Sequence, residues 1–113
     1  MDDNTVLVFT RYGMGDAPEA LRLNLAVKFL NLIHESGVLP SKILLYTEGV
    51  KLACQGSPVS TLLREMETAG VELVLCKTCL DYFGLIEQVE AGIVGGMPDI
   101  IEAMRAAAKV ISL

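Results

Sequence analysis

The sequence predicts an α/β protein: a three-layer α/β/α sandwich around a mostly parallel sheet of about five strands. Three observations point there. Short, almost wholly apolar runs read as strands buried on both faces. Longer stretches with apolar residues at helical spacing lie between them, and Gly and Pro punctuate the junctions. At 113 residues the chain fits one domain, residues 1–113, with enough core to fold unaided.

Taken in order, Thr5 to Thr10 (TVLVFT) is the first central strand, followed by a glycine-bearing loop, Arg11 to Gly15. Asp16 and Glu19 have the spacing of a capping box, with Pro18 in the first turn, so a helix is expected from there to about Ser36, closed by Gly37. Its apolar residues Leu21, Leu25, Phe29, Leu32 and Ile33 share a face, while Leu23, Val27 and Leu30 lie on others. A helix apolar around most of its girth is expected to be covered twice. Lys42 to Thr47 (KILLYT) is the second strand. The loop Lys51 to Gly56 carries Cys54, and Ser57 with Pro58 opens a helix whose buried face is Val59, Leu62, Leu63, Met66 and Ala69. Val71 to Leu75 is the third strand. A short helix from Cys79 to Phe83 and a further helical turn within Leu85 to Gly92 precede a brief strand at Ile93 and Val94. Gly95 to Pro98 leads into a helix with Ile100, Ile101, Met104 and Ala108 inward, and Lys109 to Leu113 ends the chain as a strand. Strand order is not legible from this pattern.

The formal net charge is −5, with only nine Lys and Arg, and these are scattered; this argues against nucleic acid, whose phosphates need clustered cations. Apolar runs of four or five residues fall far short of the roughly 18 that cross a bilayer, so no membrane partner is expected. Apolar residues make up 52% of a chain without tryptophan, more than one small globule hides, which predicts a homo-oligomer. Met1 to Asn4 lack the basic start of a signal peptide, and three cysteines suit no disulfide framework. A reducing cytoplasm is the expected compartment.

Chemistry concentrates at Gly70 to Leu85, GVELVLCKTCLDYFGL. An apolar strand stops at Cys76, and Cys79 follows where Thr78 and Asp81 suggest a helix start. Loops after the carboxyl ends of parallel strands are where ligands and reactive groups gather. Only the thiolate of a cysteine is nucleophilic, and a helix N-terminus or a nearby cation such as Lys77 lowers the pKa that governs it, whereas Asp81 works against this. Cys76 and Cys79 are therefore the candidate catalytic residues, with the sulfur of Cys76 expected at an open rim. Cys-x-x-Cys also occurs in thiol oxidoreductases and in half a zinc site, and both sulfurs could simply pack. A zinc site would draw on Cys54, Cys76, Cys79 and His34, without a second Cys-x-x-Cys pair, so no metal is expected. Arg11 to Gly15 lacks the G-x-G-x-x-G spacing and the Walker lysine, so no nucleotide cofactor is expected. Gly95 and Gly96 serve a turn whose N–H groups could lie near the cysteine loop.

The segments LVFTRYGMGD (Leu7 to Asp16), LLYTEGVKL (Leu44 to Leu52), GVELVLCKTCLDYFGL and VGGMPDIIEAM (Val94 to Met104) resemble the DsrE-like family of small sulfur-transfer proteins, and most closely its YedF-type, selenium-associated branch. The strand-then-cysteine segment and the Tyr-x-x-Gly-Val turn at Tyr46 to Val50 are the more specific parts. The resemblance implies a flavodoxin-like topology and a persulfide on Cys76, exchanged with sulfur donor and acceptor carrier proteins. Cys79 departs from the one-cysteine relay pattern and looks like the Cys-x-x-Cys form of the YedF-type branch, implying a resolving thiol. That branch usually carries an N-terminal carrier domain, which implies either a stand-alone relative or a chain that begins at the second domain. Relatives assemble as dimers, trimers or hexamers. Three functions follow as expectations: a sulfur or selenium carrier, a dithiol redox protein, or a non-catalytic assembly module.

Overall fold

The computed structural model describes residues 4–113; Met1 to Asp3, on which the reading of the N-terminus partly rests, lie outside them. Five strands form one sheet: β1 (Thr5–Phe9), β2 (Lys42–Leu45), β3 (Glu72–Cys76), β4 (Ile93–Gly95) and β5 (Lys109–Ser112). Their order is β4-β3-β2-β1-β5 and every pairing is parallel. β1 is buried along its whole length, as its uninterrupted apolar run requires of a strand covered on both faces.

Four helices make the crossovers: α1 (Glu19–Ser36), α2 (Ser60–Thr68), α3 (Lys77–Phe83) and α4 (Met97–Ala106). The path steps one way across the sheet from β1 to β4 and then returns past three strands to β5. Right-handed crossovers therefore put α4 on the face opposite α1 and α2, which touch each other. The result is the three-layer sandwich that the alternating pattern predicts.

Several local expectations shift. No capping box forms at Asp16; α1 starts at Glu19, with Pro18 before it and no side-chain cap. The preceding loop is fastened instead by Arg22, which donates from Nη1 to the Ala17 carbonyl at 2.6 Å and from Nε to the Tyr12 carbonyl at 3.3 Å. Gly37 closes the helix in a left-handed cap, as read. Its core face is Ala26 and Leu30, whereas Leu21, Leu25 and Leu32, expected inward, are 48%, 40% and 66% exposed. Apolar residues on every side left periodicity unable to choose between stripes.

Ser57 and Pro58 form a turn rather than the start of α2, which begins at Ser60; Val59, Leu63 and Met66 are buried, Leu62 partly, and Ala69 is exposed. α4 buries Ile100 and Ala103, leaving Ile101 exposed, and ends before Ala108. The stretch from Leu85 to Gly92 holds one 3₁₀ turn, Ile86–Gln88, then extends so that Val89 bridges Cys54 antiparallel. Thr47–Ala53, expected in part as loop, is a 3₁₀ helix. It lies so close to the end of β1 that a Cβ on Gly49 would stand 2.0 Å from the Phe9 carbonyl oxygen.

Candidate functional site

β3 ends on Cys76, whose backbone forms the N-cap of α3, so Lys77 takes the first helical position and Cys79 the third. This corrects the expected start at Thr78 and Cys79, and it has a physical consequence. Cys76 still belongs to the sheet, pairing with Gly95 of β4, and its side chain is 2% exposed in the protomer. The open-rim position expected for its sulfur is not met. Cys79, one helical turn on, is half-buried and is the more accessible of the two.

The Cys76 thiol lies near enough to Cys79 to influence its ionisation, and neither they nor Cys54 form a disulfide. The sulfur of Cys79 also accepts the backbone N–H of Thr47 at 3.0 Å. Burial is the largest influence on its proton affinity and pushes the pKa up; the Thr47 N–H opposes this, and Cys76 adds to the rise. Lys77 offers no relief. Its ammonium is held by the Asp81 carboxylate at 2.8 Å on the solvent side of α3, and that bond raises the lysine pKa. The expectation of a cation-activated thiol therefore gives way to a partly shielded thiol served by one backbone donor.

The cysteine motif gives no hint of Thr47. Its φ is +49°, the only positive value among the described non-glycine residues, and its hydroxyl donates to the Thr10 carbonyl and lies 2.7 Å from the carbonyl of Tyr46. The one signal in the sequence was the Tyr-x-x-Gly-Val turn that contains it.

Cys54 sits apart. It is buried, its thiol donates to the Val50 carbonyl at 3.2 Å, and burial together with Glu90 raises its pKa. With Tyr12, Lys51 and Phe83 it lines a cavity of about 320 Å³. A second cavity of about 360 Å³ is lined by Thr10, Arg11, Asp16, Arg22, Thr47 and Glu48, so the loops after β1 and β2 do converge beside the Cys79 donor. His34 lies at the far end of α1 with Nε2 3.7 Å from Glu65 of α2, and among the described residues no three His, Cys, Asp or Glu side chains gather as metal ligands. Gly96 donates its N–H to Asp99 at 2.8 Å, capping α4.

A model of the DsrE/DsrF-like family matches residues 3–113. The chain belongs to the DsrE/DsrF-like family. Solved structures agree on the fold. The ychN protein from E. coli shares 18% identity at a TM-score of 0.68, covering 97% of this chain and 99% of its own. The protein of unknown function MTH1491 from Methanobacterium thermoautotrophicum shares 16% at 0.69, covering 96% and 97%. BT1422 from Bacteroides thetaiotaomicron, also of unknown function, shares 18% at 0.69, covering 98% and 96%. No curated protein matches. The DsrE/DsrF-like family is generally linked to sulfur relay, and no helix among the described residues is long and apolar enough to cross a membrane.

The geometry of this DsrE/DsrF-like chain predicts how its thiols rank. Iodoacetamide at neutral pH should modify Cys79 first and Cys54 and Cys76 slowly, because both buried thiols resist approach and burial also raises the pKa of Cys54. The Cys79 rate should keep climbing with pH beyond the ordinary thiol range, since burial raises its pKa. Peptide mass spectrometry of the folded protein measures this; equal labelling of all three would contradict it.

Proposed function

We propose that this chain is a sulfur carrier in which Cys79 receives sulfane sulfur and Cys76 discharges it. The observation that carries the reading is the pair of thiols about one helical turn apart: a half-buried sulfur accepting a backbone N–H, and a buried one near enough to influence its ionisation. In loading, the Cys79 thiolate attacks the outer sulfur of a donor protein's persulfide; the donor leaves as a thiolate, and Cys79 becomes a persulfide. From there a carrier's thiolate takes the outer sulfur, or Cys76 attacks the inner one. The second route forms a Cys76–Cys79 disulfide and expels hydrosulfide, so the sulfane sulfur is reduced as the two thiols are oxidised, and a cellular dithiol must reduce the pair again.

The resemblance that favoured Cys76 as the carrier is thus revised by exposure: an incoming persulfide meets Cys79 first. Selenium in the same oxidation state fits the same steps, which is where the YedF-type likeness enters. A reducing compartment such as the cytoplasm keeps both thiols free for loading. Incubation with a cysteine desulfurase and labelled cysteine should add one sulfur atom to the protein, removable by dithiothreitol, or release it as labelled sulfide and leave a Cys76–Cys79 disulfide. Failure of any donor persulfide to label the folded protein or to yield labelled sulfide would overturn the reading. The closeness of the thiols also supports a dithiol redox protein; in that case a reversible Cys76–Cys79 disulfide forms under oxidant with no labelled sulfur retained or released beforehand.

We further propose a homo-oligomer built on the uncovered stripe of α1. Leu21, Leu25 and Leu32 repeat along one side of an 18-residue helix, and burying each against a second copy would contribute about 1–2 kcal/mol. Leu32→Glu should therefore shift sedimentation toward the protomer mass while leaving the circular dichroism spectrum unchanged; an unaltered sedimentation coefficient would remove α1 from the interface.

A further inference from the structure

We infer that Thr47 is a positioning residue for Cys79, its hydroxyl pinning a strained turn so that its amide N–H is held against the reacting sulfur. This rests on Cys79 as the loading thiol. A β-branched residue with φ of +49° is disfavoured sterically and persists only where its surroundings impose it; such strain clusters at functional sites. Here the imposing contacts are visible. The Thr47 hydroxyl reaches the Thr10 carbonyl, just past the end of β1, and lies 2.7 Å from the Tyr46 carbonyl, just past the end of β2. Glycine at position 49 lets the following 3₁₀ helix close onto Phe9, where any Cβ would collide. The turn is therefore tied to the end of β1 through the Thr10 carbonyl, and its N–H, which no carbonyl takes, points to the Cys79 sulfur at 3.0 Å.

A donor aimed at sulfur matters most when the sulfur is charged. A backbone N–H stabilises a thiolate more than a thiol, and it needs no reorganisation when the proton leaves. It favours the anion, against burial and the influence of Cys76. The other charged or titratable groups around α3 are Glu48 and Lys51 on the first 3₁₀ helix, Glu87 on the second, and Lys77, Asp81 and Tyr82 on α3 itself. Lys77 and Asp81 hold each other, and Lys51 lies 4.4 Å over the Phe83 ring. Cys76 is the titratable side chain among them that acts on Cys79. In the transfer, the same N–H would steady the Cys79 thiolate as it attacks a donor persulfide and again as it departs when a carrier takes the outer sulfur.

The test begins with the unaltered protein. Across a pH titration followed by NMR, the Thr47 amide resonance should move with the ionisation of Cys79, and that movement should vanish in Cys79→Ser. Thr47→Val keeps the branched shape without the hydroxyl, so its turn relaxes; half-ionisation of Cys79 should move about one pH unit alkaline, with alkylation below it slowed about tenfold. Thr47→Gly adopts positive φ freely and should stay within about threefold of the parent. A Thr47 amide that does not titrate with Cys79, or a folded Thr47→Val variant with the parent's pH profile, overturns the inference. Sulfur loading of the unaltered protein is scored separately by mass, so a failure of the carrier reading leaves the amide titration standing, and the reverse.

Discussion

Cys79→Ser is expected to abolish sulfur loading, lowering retained label by at least on the order of a hundredfold, because it removes the thiolate that meets the donor. Cys76→Ser is expected to do the opposite. Its label should survive on Cys79 and release as hydrosulfide should stop, since the attacking sulfur is gone while the accessible one stays. The contrast follows from burial: Cys76 is 2% exposed at the sheet end, and Cys79 is half-buried one turn further on. Both variants are read by intact-protein mass after desulfurase treatment, with sulfide trapped in parallel. If Cys76→Ser loses the label and Cys79→Ser keeps it, the carrier is Cys76, as the family resemblance implies, and the donor must reach a sulfur that the protomer covers.

Gly49→Ala is expected to be among the most damaging single substitutions away from the thiols. The added carbon would lie 2.0 Å from the Phe9 carbonyl oxygen and 2.6 Å from its carbon, and these are backbone atoms of the fully buried central strand, unable to swing aside as a side chain does. The 3₁₀ helix would have to lift from β1, straining the bond from the Tyr46 N–H to the Phe9 carbonyl, now 3.2 Å. A cost of about 3 kcal/mol or more is expected, with the melting temperature falling on the order of 10 °C. Calorimetry or thermal denaturation checks it; a shift of a degree or two would mean that this contact yields easily. Gly15, around whose Cβ position nothing lies within 4 Å, is the control for crowding, although its own φ of +77° adds backbone strain to any substitution there.

The sequence carried the strands well because buried parallel strands leave a strong imprint: TVLVF, KILL and ELVLC are nearly pure apolar runs, each bounded by a turn residue. It carried the C-terminus of α1 for an equally local reason, since Gly37 alone accepts the left-handed cap at no cost. It could not say which side of α1 meets the sheet, because Leu21, Leu25 and Leu32 are as apolar as Leu30 and only the placement of β1 and β2 decides among them. The cysteines show the same division. That a strand leads into Cys76 was legible; that the strand includes Cys76 itself, so that its sulfur stays in the core while Cys79 one turn later is the more exposed, was not, because the end of a strand is set by its pairing with β4 and leaves no mark on the residue type. Thr47 was hidden more deeply. Nothing in a threonine announces positive φ, and its partner lies thirty-two positions away on another element.

The sheet order joins the first strand to the last, with Thr5 opposite Lys109 and Val8 opposite Ser112. During synthesis, then, one flank of β1 waits bare until the closing residues emerge, although β2, β3 and β4 have already been made. An apolar five-residue ribbon with unpaired N–H and C=O groups is the sort of edge on which chains stick together, so the nascent protein is most vulnerable to clumping in the interval before its final strand arrives.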